Sequence, residues 1–194
     1  EPDIIAGQGT VALEMLEDAP AIDTLVVPIG GGGLFSGMGI TARALKPEIQ
    51  LIGVQAELYP SMYGFVKGVE TVCDGDTLAE GIAVKEPGEL TRQIVGELVK
   101  DILLVRENEI ERAVATLLEI EKTVVEGAGA AAYAAVAAHP QLFAGRRVGI
   151  VLSGGNIDMR LLSNVILREM LREGRMLNIV VEIKDRPGWL ARIT

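Results

Sequence analysis

The chain has 194 residues and a mass of 20.6 kDa, with 49% hydrophobic and 23% charged residues, so it can bury one sizeable core or one domain plus the start of a second. Lys and Arg number 18 against 27 Asp and Glu, and the formal net charge of -9 argues against a nucleic-acid partner or an anionic membrane surface. One cysteine, Cys73, and one histidine, His139, supply neither an intrachain disulfide nor the usual zinc set, which suits a reducing, cytoplasmic compartment.

In chain order, a helix is expected over 10–18 and a strand over 25–29, which runs through four glycines into a helix over 34–45. A strand over 50–55, a helix over 89–100 and a strand over 102–105 follow, then helices over 107–122 and 128–138, a strand over 148–152 and a helix over 157–172. Short β-branched runs alternating with helical periods predict an α/β fold, a parallel sheet flanked by helices on both faces. The alanine-rich stretch 127–138 is too short to cross a bilayer and reads as a helix packed closely on its neighbours. Charged residues within 107–122 read as a solvated helix face, and His139 as a helix C-terminus. After Gly174 the texture changes to a strand over 176–183, a turn over 185–188 and a helical start at Trp189, the opening of a truncated second domain. No signal peptide is visible; the chain opens at Glu1 without Met and reads as a cut piece.

The strongest motif is the strand followed by Gly30, Gly31, Gly32 and Gly33 and then Leu34. Four glycines cost much chain entropy, and what they allow is close backbone approach to an anion at a helix N-terminus, so they predict a phosphate cradle. The nucleotide signatures fail: Met38 stands after Gly37 where a P-loop needs lysine, and the dinucleotide spellings Gly7/Gly9/Ala12 and Gly37/Gly39/Ala42 lack the required strand-to-helix context. A second motif, Ser153-Gly154-Gly155-Asn156, follows the last strand; it reads either as a turn with Asn156 as helix N-cap or as a site loop sharing the tetraglycine's sheet edge.

Five segments occur together and in order: Gly7-Gln8-Gly9-Thr10, Val27-Pro28-Ile29 with the tetraglycine, Leu78 to Val84, Glu126-Gly127-Ala128-Gly129, and Ser153 to Asn156. In this conjunction the chain resembles the threonine dehydratase (threonine ammonia-lyase) family of pyridoxal-phosphate enzymes over residues 1–173. The resemblance implies fold type II, the tryptophan synthase β-like arrangement, and pyridoxal 5'-phosphate as cofactor. It implies that Gly30, Gly31, Gly32, Gly33 and Leu34 hold the cofactor phosphate, that Ser153 with Gly154 meets the pyridine nitrogen, and that Gly81 and Glu126 line the ring. The implied reaction is deamination of L-threonine, or L-serine, to 2-oxobutanoate or pyruvate and ammonia, in isoleucine biosynthesis or threonine catabolism. Residues 176–194, with Asp185-Arg186-Pro187-Gly188, resemble the start of a ferredoxin-like ACT regulatory domain, implying an amino-acid effector, while the resemblance to the dehydratases implies a homo-oligomer, dimer or tetramer.

The family's Schiff-base lysine lies in a segment upstream of these motifs, and no lysine of this chain has those neighbours, so no catalytic residue is assigned and the chain alone is expected to be inactive. Some relatives bind a cation through an acid at the position of Gln55; with Gln55 there and Glu57 two residues on, no metal site is expected. Cys73 beside Asp74 has no basic sequence neighbour to activate it. The alternative reading is a non-catalytic phosphate-ligand-binding or regulatory module.

Overall fold

The computed structural model describes residues 1–180 and 182. Its elements are α1 (Pro2–Asp18), β1 (Thr24–Pro28), α2 (Gly33–Leu45), β2 (Gln50–Ala56), α3 (Ser61–Lys67), a 3-10 turn (Glu80–Ile82), α4 (Glu89–Leu98), β3 (Asp101–Val105), α5 (Glu107–Thr116), a π-turn (Leu117–Glu121), α6 (Gly127–Ala138), α7 (Pro140–Phe143), β4 (Val148–Ile150) and α8 (Met159–Arg172). The strands form one parallel sheet in the order β3-β2-β1-β4, with Thr24 opposite both Gln50 and Val148. The expected α/β architecture is the one that forms.

All of β1 is buried, which is why its sequence is continuously apolar and not alternating. Leu25 and Val27 enter a core with Ala12, Phe35 and Met38 from α1 and α2; Val26 points the other way, into a core with Ile110, Val114, Ala131 and Ala135 from α5 and α6. Ala130, Ala131, Ala132, Ala134 and Ala135 of α6 are fully or almost fully buried, and their small side chains bring the helix close to the sheet.

The helix α1 starts at Pro2, earlier than expected, and runs through Gly7 and Gly9. A Cβ at Gly37 would overlap the carbonyl of Ile5, and one at Gly9 would overlap the Thr41 hydroxyl, so α1 and α2 touch through their backbones. That contact outweighs glycine's helix cost of about 1 kcal/mol per residue and accounts for the accidental dinucleotide spellings. The short α3 and α7 had no sequence prediction, because 7 and 4 residues are too few to show a helical period. Asp158, not Asn156, caps α8: its carboxylate accepts from the N–H groups of Arg160 at 2.9 Å and Leu161 at 3.1 Å. Residues 177–180 carry no strand; position 181 and residues 183–194 of the expected second domain, with its turn and helical start, lie outside the described residues.

The charges of α5 are not merely solvated. Glu111 and Glu169 are 8% and 4% exposed between α5 and α8. Arg112 donates to Glu169 at 2.9 Å and Arg168 to Glu111 at 2.7 Å, while Arg172 bridges Glu111 and Glu169. No helix among the described residues is long and apolar enough to cross a membrane.

Burial is the largest influence on Glu169 and opposes its ionisation, yet hydrogen bonds and charge from Arg112 and Arg172 outweigh it and hold the carboxyl below its ordinary 4.5. Its stabilisation is therefore present above pH 4.5 and is lost as pH falls through the depressed folded value. We expect Glu169→Gln to cost about 1–2 kcal/mol in urea unfolding at neutral pH, with the deficit shrinking below pH 4.5 as the wild-type carboxylate is protonated too.

Candidate functional site

The strand order places the site. The chain steps outward from β1 to β2 and β3, then returns to the other side of β1 as β4, so the loops leaving the carboxyl ends of β1 and β4 part around a crevice. The tetraglycine leaves β1, and Ser153 follows β4. Gly30, Gly31, Gly32, Gly33, Leu34, Gly81, Glu126 and Ser153 line one cleft of about 250 Å³, together with Pro28, Ile82 and Ala128, which stand in the sequence motifs but are assigned no role there.

The glycine loop is built for close approach. Gly32 has φ +88°, a left-handed conformation that other residues adopt only under strain, and serves as N-cap of α2. A Cβ at Gly30 would sit 3.1 Å from Ile82 Cα and 3.2 Å from Gly81 O, whereas at Gly31 and Gly33 it would meet nothing within 4 Å. Among the described residues, the backbone N–H groups of Gly30, Gly31, Gly32, Gly33 and Leu34 donate to no protein acceptor. Unspent N–H groups at the positive end of a 13-residue helix have the chemistry to accept an anion. Neither Lys nor Arg lines the cleft, so a bound anion meets neutral donors.

The far walls hang on the first turn of α6. A Cβ at Gly127 would overlap the backbone of Leu78, and one at Gly129 the backbone of Ser153, so this turn clasps the loops that carry Gly81 and Ser153. Glu107 secures the first loop, accepting from Thr77 Oγ at 2.6 Å and Leu78 N at 2.8 Å. Gly154 does not line the cleft. It turns behind the wall with φ +79°, a Cβ there would overlap the Glu126 carboxylate, and its carbonyl accepts from Glu126 N at 3.1 Å. Ser153 Oγ has no hydrogen-bond partner among the described residues, which leaves it available to a ligand.

Other candidates are occupied. Gln55 is fully buried; its amide nitrogen donates to Ile29 O at 3.2 Å and Ser61 Oγ at 3.5 Å, and its oxygen accepts from Tyr63 N at 2.8 Å. Cys73 has a basic neighbour in space, Lys85, but burial is the larger influence and raises the thiol's pKa, away from a reactive thiolate. A larger cavity of about 490 Å³ is bordered by Glu107, Glu111 and Arg168, but these groups are spent on one another and on protein partners.

Residues 1–154 match the family described as pyridoxal-phosphate dependent enzyme. The chain is similar to the L-threonine ammonia-lyase of Thermotoga maritima, 44% identical over 195 aligned positions, covering 100% of this chain and 48% of that protein. Its fold is similar to the processed form of threonine deaminase isoform 2 from Solanum lycopersicum, with TM-score 0.81 and 29% identity over 88% of this chain and 48% of that one. It is likewise similar to maize serine racemase, with TM-score 0.75 and 35% identity over 86% and 53% of the two chains. The chain thus spans about half the length of the relatives it matches.

The glycine geometry separates folding from binding. We expect Gly32→Ala to destabilise the protein by about 1–3 kcal/mol through its left-handed φ. Gly31→Ala, whose methyl enters open space, keeps the wild-type melting temperature while weakening binding of inorganic phosphate by about tenfold. Thermal unfolding and phosphate titration of the two variants check the pair.

Proposed function

The chain belongs to the family of pyridoxal-phosphate-dependent enzymes, and on that premise we propose that it forms the phosphate- and ring-holding part of a threonine ammonia-lyase. In this reading the whole protein converts L-threonine to 2-oxobutanoate and ammonia and accepts L-serine, giving pyruvate. One observation carries it: the unspent N–H groups of Gly30 to Leu34 share a cleft with the unpartnered hydroxyl of Ser153.

The residues present fit that cofactor. The glycine N–H groups and the α2 dipole suit a phosphate dianion. Gly81, Glu126 and Ala128 border the remaining space, and Ser153 offers a hydroxyl for a ring nitrogen. When bound, pyridoxal phosphate supplies the electron sink that lets the amino acid lose its α-proton. A serine hydroxyl donates to an unprotonated ring nitrogen without holding a proton on it, as an aspartate opposite would. That weaker demand suits loss of a β-hydroxyl, in which the departing group carries the electron pair away.

Among the described residues no lysine lines the cleft, so in this reading the lysine that takes the α-proton lies outside this chain. The cleft's volume of about 250 Å³ is small for a complete ligand site and suits one wall of a shared one. The motif at Asp185 to Gly188 supports a regulatory domain that takes an amino-acid effector, the single cysteine suits a reducing, cytoplasmic compartment, and a homo-oligomer rests on the family resemblance alone.

Borohydride reduction of the whole protein in the presence of pyridoxal phosphate tests this reading, followed by intact mass, peptide mapping and an assay for threonine-dependent 2-oxobutanoate. We expect one adduct on a lysine outside this chain, turnover of threonine, and a loss of on the order of a hundredfold in kcat for Ser153→Ala. Cofactor binding with neither adduct nor product would overturn the enzymatic reading in favour of a binding module.

A further inference from the structure

We infer that Thr91, on the first turn of α4, is the positioning residue that aims the glycine-loop N–H groups at the phosphate. The inference rests on the reading of the cleft as a phosphate site. Thr91 is 60 residues away from the loop in sequence, yet its hydroxyl donates to Gly31 O at 2.6 Å; Gly88 O, at 2.9 Å, is a second acceptor for the same proton. Its Cβ also fills the space behind Gly32, where a glycine Cβ would lie only 2.9 Å from it.

Peptide planarity turns this contact into direction. In a trans peptide the carbonyl and the following N–H point opposite ways. Holding the Gly31 carbonyl back towards α4 therefore aims the Gly32 N–H away from Thr91, on the side of the loop opposite α4. The next peptide is fixed from the other side. Gly32 O accepts from Ser36 N at 2.9 Å, the first helical bond of α2, so the Gly33 N–H points out of the helix N-terminus. Four successive glycines carry no side chain to hold these planes, and free rotation would scatter the donors. Thr91 supplies from outside the rigidity that the loop lacks, and preorganised donors bind a charge without reorganisation at the moment of binding.

Thr91 touches no ligand-facing side of the cleft, so its substitution changes donor direction and leaves the cleft walls intact. The test compares Thr91→Val and Thr91→Ala, which remove the hydroxyl, with Thr91→Ser, which keeps it, by titrating the whole apo-protein with inorganic phosphate, pyridoxal phosphate and unphosphorylated pyridoxal. We expect Thr91→Val and Thr91→Ala to weaken the two phosphate-bearing ligands by about five- to tenfold, with pyridoxal within about twofold of wild type and Thr91→Ser restoring the affinity. Unchanged phosphate affinity in the hydroxyl-free variants overturns the inference. An equal loss for pyridoxal also overturns it, because that pattern marks a general support of the fold. A wild type that binds inorganic phosphate but does not prefer pyridoxal phosphate to pyridoxal refutes the cofactor reading, while the phosphate arm still decides the role of Thr91. If the wild type binds none of the three ligands, both fall.

Discussion

A peptide N–H withdrawn from sheet and helix must find an acceptor, and the turn from β1 into α2 withdraws a run of them at once. Strand pairing serves β1 as far as Ile29, whose N–H still reaches Val54 O at 2.7 Å. Helical bonding resumes only with Ser36 N on Gly32 O. Between the two, Gly30 to Leu34 line a cleft, and their N–H groups have no acceptor among the described residues. Such a turn is poor structure and good material for recognition, because groups that go unpaired within the protein are free to meet an anion.

The rest of the fold holds that turn in place. On one side α4 reaches it through Thr91 and α1 braces α2 by the Gly9 and Gly37 contact. On the other side the opening turn of α6 acts as a clasp, with Gly127 and Gly129 letting two loops pass within backbone contact. Below them, the alanine face of α6 rests on the sheet. Glu111 and Glu169, with their arginines, tie α5 to α8, so these two helices behind the sheet are joined by polar bonds as well as by burial.

Much of this was legible in the sequence, and the reasons differ residue by residue. The strand-to-glycine-to-helix passage at 25–45 was readable because an apolar run ending in four glycines has few structural uses. The joining of Ser153 to that loop followed from parallel topology, since the carboxyl ends of parallel strands share an edge. The resemblance sets Gly154 beside Ser153 at the pyridine nitrogen, but a motif shows spacing and not direction, and its positive φ behind Glu126 shows a turn outside the cleft lining. Thr91 was invisible, since a hydroxyl on an exposed-looking helix start gives no sign of a carbonyl 60 residues earlier in the chain. The burial of Glu111 was hidden in the same way: its partners lie 57 and 61 residues further along, and a charge pattern on one helix cannot show what packs against it.

An acidic chain that binds a dianion needs a reason, and it is a matter of range. The net charge of -9 is spread over a surface of 11201 Å², and at physiological salt its field is screened over about 8 Å. Glycine N–H groups would act on a bound anion at hydrogen-bond distance, well inside that screening length, where a fixed dipole outweighs a screened distant charge. Neutral donors have a further consequence. A lysine or arginine in the cradle would attract any anion and could be neutralised by the neighbouring Glu126, whereas an array of backbone N–H groups has neither pKa nor rotamer. Its selectivity lies wholly in direction, and direction is what glycine alone cannot supply.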